Sequence, residues 1–208
     1  MTTVKKSRKQ EILDAALACF NENGVEATTI DMIRERSQAS VGSMYHHFGS
    51  KESIAATLFV EALGEHGAYQ QSLLDAANSA EDGVKALVYA YCDWVSANPE
   101  KARFVLYNRG ALAKSDMAGE LESRTKTKMA DLRRWFQPYL ENGQLRRLPS
   151  ECFSSLVIGP SHDYARLWLS GRARTDIKAY REIFQILKTL QPQSSPAEPE
   201  DHDEAEEE

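Results

Sequence analysis

The chain reads as all-α: a three-helix unit built around a helix-turn-helix, then a longer helical region, about nine helices in all. Three observations carry this expectation. Apolar residues recur at spacings of three and four almost without break as far as Leu190. No stretch alternates apolar and polar residues with period two, as a half-buried strand would. Capping and breaking residues (Thr29, Ser50, Asn98-Pro99, Asn142-Gly143) fall between the apolar stripes, where helices start and stop.

In chain order, Ile12, Leu13, Ala16, Leu17 and Phe20 form the first stripe, ended by Asn23-Gly24. Thr29 caps a second helix that buries Ile30 and Ile33, and a third runs from about Val41 to Phe48. A longer helix starts after Ser50 with Ile54, Leu58 and Ala62 on one face. Ser79-Ala-Glu-Asp82 resembles a capping box ahead of Val84, Leu87, Val88, Tyr91 and Val95. Asn98 before Pro99 reads as a cap with proline at the first helical position. A helix from about Asp116 carries Leu121, Met129, Leu132, Trp135 and Tyr139. Ser150 caps the next, which Gly159-Pro160 should kink, because proline lacks a donor and clashes one turn back. Thr175 caps the last, with Ile177, Tyr180, Phe184 and Leu187. These elements divide into residues 7–67, residues 68–191 and an acidic tail over 192–208, expected to be disordered and solvating.

Composition is that of an ordinary globular chain: 208 residues, 42% hydrophobic and 27% charged. No apolar run is long enough to cross a membrane, and the basic start "MTTVKKSRKQ" runs into an amphipathic pattern instead of a signal-peptide block. The three scattered cysteines, Cys19, Cys92 and Cys152, read as small buried hydrophobes, so a reducing cytoplasm is the expected location. Net charge is −6, but the tail carries eight acids without a Lys or Arg, and leaving it out turns −6 into +2. Overall charge therefore neither favours nor excludes a nucleic-acid partner.

The segment "SQASVGSMYHHFGSKES" (Ser37–Ser53) is unusual for its small hydroxyls, lone glycine and adjacent histidines. A metal reading of His46-His47 fails, since neighbouring helical residues point about 100° apart and no further ligand stands at the right spacing. A DNA reading accounts for more. A helix enters the major groove only if its leading residues are short, as Ser40, Gly42 and Ser43 are. Hydroxyls and free N–H groups at helix starts suit phosphate oxygens, and Lys51 adds a cation beside another helix N-terminus. Met44 and Phe48 face inward; Val41 either joins them or faces a base.

The whole stretch "TTIDMIRERSQASVGSMYHHFGSKESI" resembles the DNA-binding signature of the TetR (tetracycline-repressor) family of transcriptional regulators. It shares the Thr-Thr opening, Ser-x-Gly-x-x-Tyr-x-His-Phe and the following Lys-Glu, and the resemblance covers roughly residues 7–67. It implies a helix-turn-helix in which Thr29, Ser40, Tyr45, His47 and Lys51 contact phosphates while Val41, Gly42, Ser43 and His46 face bases. Departures are Ser37-Gln38 where relatives often have Ala-Gly, Arg34 where they often have Ala, and an apolar Val41 suited to a thymine methyl.

The resemblance further implies a homodimer joined through the last two helices, a double-stranded DNA operator, and a small-molecule effector held in the C-terminal helices, without cofactor or metal. Of the many aromatics there, Trp94, Phe104, Tyr107, Trp135, Tyr139, Tyr164 and Trp168, with His162, are the expected effector-lining residues, and Gly159-Pro160 a pocket wall. Arg103 and Arg109 read as solvated. Ser161-His162-Asp163 is no catalytic triad, since consecutive helical residues cannot converge, and no other catalytic set is visible. The rival readings are a helical scaffold that ignores DNA and an all-helical enzyme.

Overall fold

The computed structural model of the chain describes residues 6–112 and 118–181. Their regular structure is nine α-helices and one 3-10 turn, with no strand among them. The helices are α1 (Arg8–Ala27), α2 (Ile30–Ser37), α3 (Val41–Phe48), α4 (Lys51–Asp75), α5 (Ala80–Ala97), α6 (Pro99–Leu112), α7 (Ala118–Glu141), α8 (Ser150–Val157) and α9 (Gly159–Leu169). The 3-10 turn, Ile177–Ala179, closes this part of the chain.

Local signals set most of these boundaries. Gly24 leaves the helical region at φ 78°, ψ 160°, so α1 breaks where Asn23-Gly24 predicts, with one irregular turn beyond. Thr29, Ser50 and Ser79 each accept a backbone N–H with their side-chain oxygen and cap α2, α4 and α5. Gly159-Pro160 divides the single expected helix into α8 and α9, with proline in the first turn of α9 where its missing donor costs nothing. Two expectations change. The Asn98 amide donates to Trp94 O at 3.1 Å, so this residue serves the end of α5 instead of capping α6 by its side chain. Asp176, not Thr175, caps the last turn, accepting from Lys178 N at 2.8 Å. Most of the helix expected after Thr175, and the acidic tail, lie outside the described residues.

The division at residue 67 falls inside α4, which runs unbroken for 25 residues, about 37 Å at 1.5 Å per residue. Its first half (Ile54, Ala55, Leu58, Phe59) packs into one core with Ile12, Leu13, Ala16 and Phe20 of α1, Ile33 of α2 and Met44 of α3. Its second half enters two further clusters: Ala62 joins Val88, Tyr91, Trp94 and Val95 of α5, while Leu74 joins Leu87 and Phe136. Phe104 of α6 also belongs to the first core, stacked on Phe20 at 5.7 Å between ring centroids. The three-helix unit is thus bolted to the rest through α4 and α6.

One glycine is fixed by packing. A Cβ built on Gly83 would clash with the Trp135 ring edge at Cζ3 and Cη2, so glycine lets that indole rest against α5 as it does. Between helix ends, Arg103 donates to Leu169 O at 2.9 Å and ties α6 to the end of α9.

Candidate functional site

The helix-turn-helix is assembled from α2 and α3. Its turn residue is Gln38, at φ 53° and ψ 25°, a left-handed conformation that glycine adopts more readily. Ser40 caps α3, its Oγ accepting from Ser43 N at 3.1 Å. Met44 is buried and Phe48 half-buried against the first core, which fixes the rotation of α3 about its axis. That rotation turns Val41 (43% exposed) and Tyr45 (56%) outward, together with Gly42, His46 and His47. Val41 therefore leaves the inward stripe. Ser43 lies at the edge, partly covered, and Thr29 stands exposed at the start of α2.

Lys51 is placed differently from a free phosphate ligand. Its Nζ donates to Thr28 O at 2.8 Å and Glu26 O at 3.0 Å, neutralising carbonyls at the end of α1 while sitting at the start of α4. A third donor remains on the ammonium. The arm is also engaged: Lys6 meets Asp14 at 2.6 Å, Arg8 meets Glu11 at 2.8 Å and Lys9 meets Glu61 at 3.2 Å. All three pairs are exposed and weak, so a phosphate can exchange for the carboxylate. On α2, Arg36 holds Glu22 of α1 with two 2.6 Å bonds, an exposed clamp that lowers the glutamate's pKa and raises that of the guanidinium.

The expected effector-lining residues scatter. Trp94 and His162 come together in the interior of the C-terminal helices. Phe104 is fully buried in the first core and is a structural residue. Tyr107 is 56% exposed on α6. Trp135 packs on Tyr139 and on Phe136 beside Gly83. Tyr164 stacks on Tyr180 at 5.2 Å and donates to Thr175 O, and Trp168 flanks the second core. Pro160 is exposed on α9. A cavity of about 360 Å³ lies elsewhere, between α4, α6 and α7, with Phe59, Leu63 and Leu121 as its apolar wall and Arg109, Glu122 and Lys126 as its polar one. Glu122 is held by Lys126 at 2.7 Å. Arg109, read as a solvated residue, is exposed and also borders this cavity.

Next to the cavity is a polar cluster of which the sequence reading named only Trp94 and His162. His66 lies against Tyr91 (5.9 Å) and Trp94 (5.6 Å), and Tyr91 against His162 (4.5 Å). The His66 Nε2, Gln70 Oε1, Tyr91 hydroxyl and Trp94 Nε1 are all buried without a hydrogen-bond partner, and the buried Ser161 hydroxyl lies beside the Cys92 thiol. Burial, reinforced by Lys128 and then His162, pushes the His66 pKa down to about 3. Burial, with Arg109, Arg166 and Lys128 nearby, takes His162 to about 4. Burial and Arg109 lower the Lys128 pKa as well, whereas burial raises the Tyr91 hydroxyl and takes the Cys92 thiol to about 11. The only sequence signal was spacing: Phe59, Leu63, His66 and Gln70 stand at i, i+4, i+7 and i+11 on one helical face.

Residues 12–58 match the family model of bacterial regulatory proteins of the tetR family. The chain is similar to the HTH-type transcriptional repressor KstR2 of Mycolicibacterium smegmatis, 33% identical over 112 residues, which are 53% of each protein. It is also similar to the repressor AcnR of Corynebacterium glutamicum, 42% identical over 50 residues, covering 24% of this chain and 27% of that one. The matched region thus spans about half the length of the KstR2 relative, or less for AcnR. Among solved structures, the fatty acid degradation regulator FadR from Bacillus halodurans superposes with a TM-score of 0.72 at 19% identity, over 88% of this chain and 99% of that one. FadR from Bacillus subtilis, solved in complex with stearoyl-CoA, gives 0.72 at 15% identity with the same coverage. At such identities these two likenesses concern the fold. No helix among the described residues is long and apolar enough to cross a membrane.

Proposed function

Since the chain belongs to the TetR family through its N-terminal domain, we propose that it is a DNA-binding transcriptional regulator whose hold on its operator is set by a small molecule bound among the C-terminal helices. The observation that carries this reading is the orientation of α3. Met44 and Phe48 lock its inner face, and Val41, Gly42, Tyr45 and His46 are left outward on a helix with a free, capped N-terminus. Short residues at the leading end admit close approach to base edges, where Val41 offers an apolar contact to a thymine methyl. Thr29, Ser40, Tyr45 and His47 flank it within reach of phosphates, and the remaining Lys51 donor joins them. The protein works as a homodimer, pairing two α3 helices with two half-sites. Its interface lies on the pair of helices expected over residues 151–171 and 175–190; Leu156 of α8, 64% exposed, supports that placement. The protein acts as a repressor, as the KstR2 and AcnR relatives do by name.

The connection between the two activities runs through α4. Phe59 belongs to the first core and also to the cavity wall, so a ligand there pushes on a side chain that seats α4 against α1. Lys51, about two turns away at the start of the same helix, is bonded to the carbonyls that lead into α2. A hundredfold loss of operator affinity requires about 2.8 kcal/mol of differential ligand binding between the two arrangements. The test is a fluorescence-anisotropy titration of the full chain against a duplex from its own promoter and a scrambled duplex, over a range of salt. Tighter binding to the promoter and a linear log–log salt dependence are expected. A protein that ignores both duplexes at low ionic strength is the scaffold of the rival reading.

A further inference from the structure

Two helix faces run in parallel into the C-terminal interior. On α4 the series is Phe59, Leu63, His66 and Gln70; on α7 it is Leu121, Thr125, Lys128 and Leu132, with the same i, i+4, i+7, i+11 spacing. The first two residues of each series line the cavity. The next step inward replaces apolar wall by His66 on one side and Lys128 on the other. Beyond them stand Tyr91 and Trp94 of α5 and Ser161 and His162 of α9. Tyr91 and Trp94 are each more than nine-tenths buried, and each leaves its polar atom unpartnered, while the buried Ser161 hydroxyl lies beside the Cys92 thiol.

Buried donors are almost always paired, so the two orphans on Tyr91 and Trp94, grouped around His66 one turn beyond the cavity wall, call for an acceptor. The kinds of group present define that acceptor. Lys128 and Trp94 only donate, the Tyr91 hydroxyl can donate, and Gln70 Oε1 alone is confined to accepting. Lys128 has no acidic partner among the described residues, and Arg109, which borders the same cavity, has none either. Glu122 is the acid in the wall and Lys126 already neutralises it. An ionised carboxylate is acceptor-only, with about four lone-pair sites and a charge to match the unpaired ammonium. The 360 Å³ wall of Phe59, Leu63 and Leu121 suits a compact apolar body, at the small end of the range for small-molecule sites.

We propose that the effector is a small organic carboxylate, its apolar body in the cavity between α4, α6 and α7 and its anionic head held by Lys128 with Trp94, Tyr91 and His66. This rests on the reading of the C-terminal helices as the effector-binding half and assigns that effector its chemical class. The head draws Lys128 of α7 toward α4 and α5, and the body bears on Phe59, so one ligand acts on the helix that carries the DNA-binding unit.

The experiment is isothermal titration calorimetry on the full chain without DNA, using octanoate and 3-phenylpropanoate, each beside its primary amide. The carboxylates bind and the amides bind at least tenfold more weakly, about 1.4 kcal/mol. Lys128→Met weakens the carboxylates at least tenfold and brings acid and amide together. Trp94→Phe, which keeps the ring but removes the donor, weakens them several-fold. Arg134→Met, on the outer face of α7 beside Asp131, changes nothing. Thermal melts of each variant verify folding. Equal binding of acid and amide, unchanged affinity in Lys128→Met, or no heat from either carboxylate at millimolar concentration would each overturn the proposal. The anisotropy titration keeps the two readings apart. A chain that selects carboxylates but ignores duplex DNA refutes the regulator reading alone, and one that binds its promoter without selecting carboxylates refutes this inference alone.

Discussion

Phe104 separates two accounts of the α6 aromatic stripe, as effector wall or as structural bolt. The structure makes it a bolt: fully buried, in the same core as Ile12, Leu13 and Phe59, and stacked on Phe20 at 5.7 Å with 22° between ring planes. Replacing it with alanine removes a whole buried ring and leaves a hole between α1 and α6, for which a loss of about 3–5 kcal/mol is expected. Part of that loss belongs to the Phe20 contact, about 0.5–1.5 kcal/mol for an aromatic pair beyond its buried area. In a double-mutant cycle with Phe20→Ala, the combined loss should therefore fall short of the separate losses by at least that amount. The assay is urea denaturation of the full chain, followed by circular dichroism and by tryptophan emission, since coincident transitions are needed before a single free energy is assigned. Phe104→Leu, which keeps most of the volume, should cost well under half as much. Carboxylate affinity measured on the folded Phe104→Leu variant should be unchanged. A loss below about 1 kcal/mol in Phe104→Ala, or additive losses in the cycle, would refute the packing argument.

Four further outcomes follow from particular side chains. On the proposed reading, Tyr45→Phe removes one phosphate-facing hydroxyl and should weaken binding to promoter and scrambled duplexes alike by about 0.5–1.5 kcal/mol; loss confined to the promoter duplex would reassign Tyr45 to base recognition. Lys51→Met should lower the thermal midpoint and weaken DNA binding together, because the Glu26 and Thr28 carbonyls lose their cation, whereas a variant with wild-type stability would leave Lys51 as a phosphate ligand only. His66 and His162 stay neutral when folded down to about 3 and about 4, while the unfolded chain protonates them near 6.5. The unfolded state then holds more protons, so stability is unaffected above about pH 6.5 and falls from there to about pH 4, and a paired His66→Phe, His162→Phe variant should flatten that slope. Gln38→Gly should raise stability by up to about 1 kcal/mol, measured by urea midpoint, by relieving the left-handed turn residue without touching α3.

Helix positions were legible in the sequence because their causes are local. Thr29, Ser50 and Ser79 cap the helices they precede through a bond to a residue three places on, and Gly24 and Pro160 break theirs by their own backbone chemistry. The same locality made the DNA-binding unit readable: short residues at 40, 42 and 43, and apolar ones at 44 and 48, are a pattern within one helix. Even there, the side on which Val41 falls depended on how Met44 docks against α1 and α4, and Lys51 proved to answer carbonyls 23 and 25 residues earlier.

The C-terminal interior was legible only as aromatic and helical. Trp94, Phe104, Tyr107 and Trp135 look alike at helical spacing, yet one sits in a polar cluster, one bolts two layers together, one is exposed and one fills the space that Gly83 leaves. A pocket is made by which faces of different helices meet, and α4, α5, α7 and α9 bring His66, Trp94, Lys128 and Ser161 together from up to 95 residues apart. Caps, breaks and the amphipathic stripe are decided by neighbours along the chain, so the residue order alone determined them. Burial, unpaired polar atoms and shifted ionisation are decided by neighbours across space, and only the packing of the helices could set them.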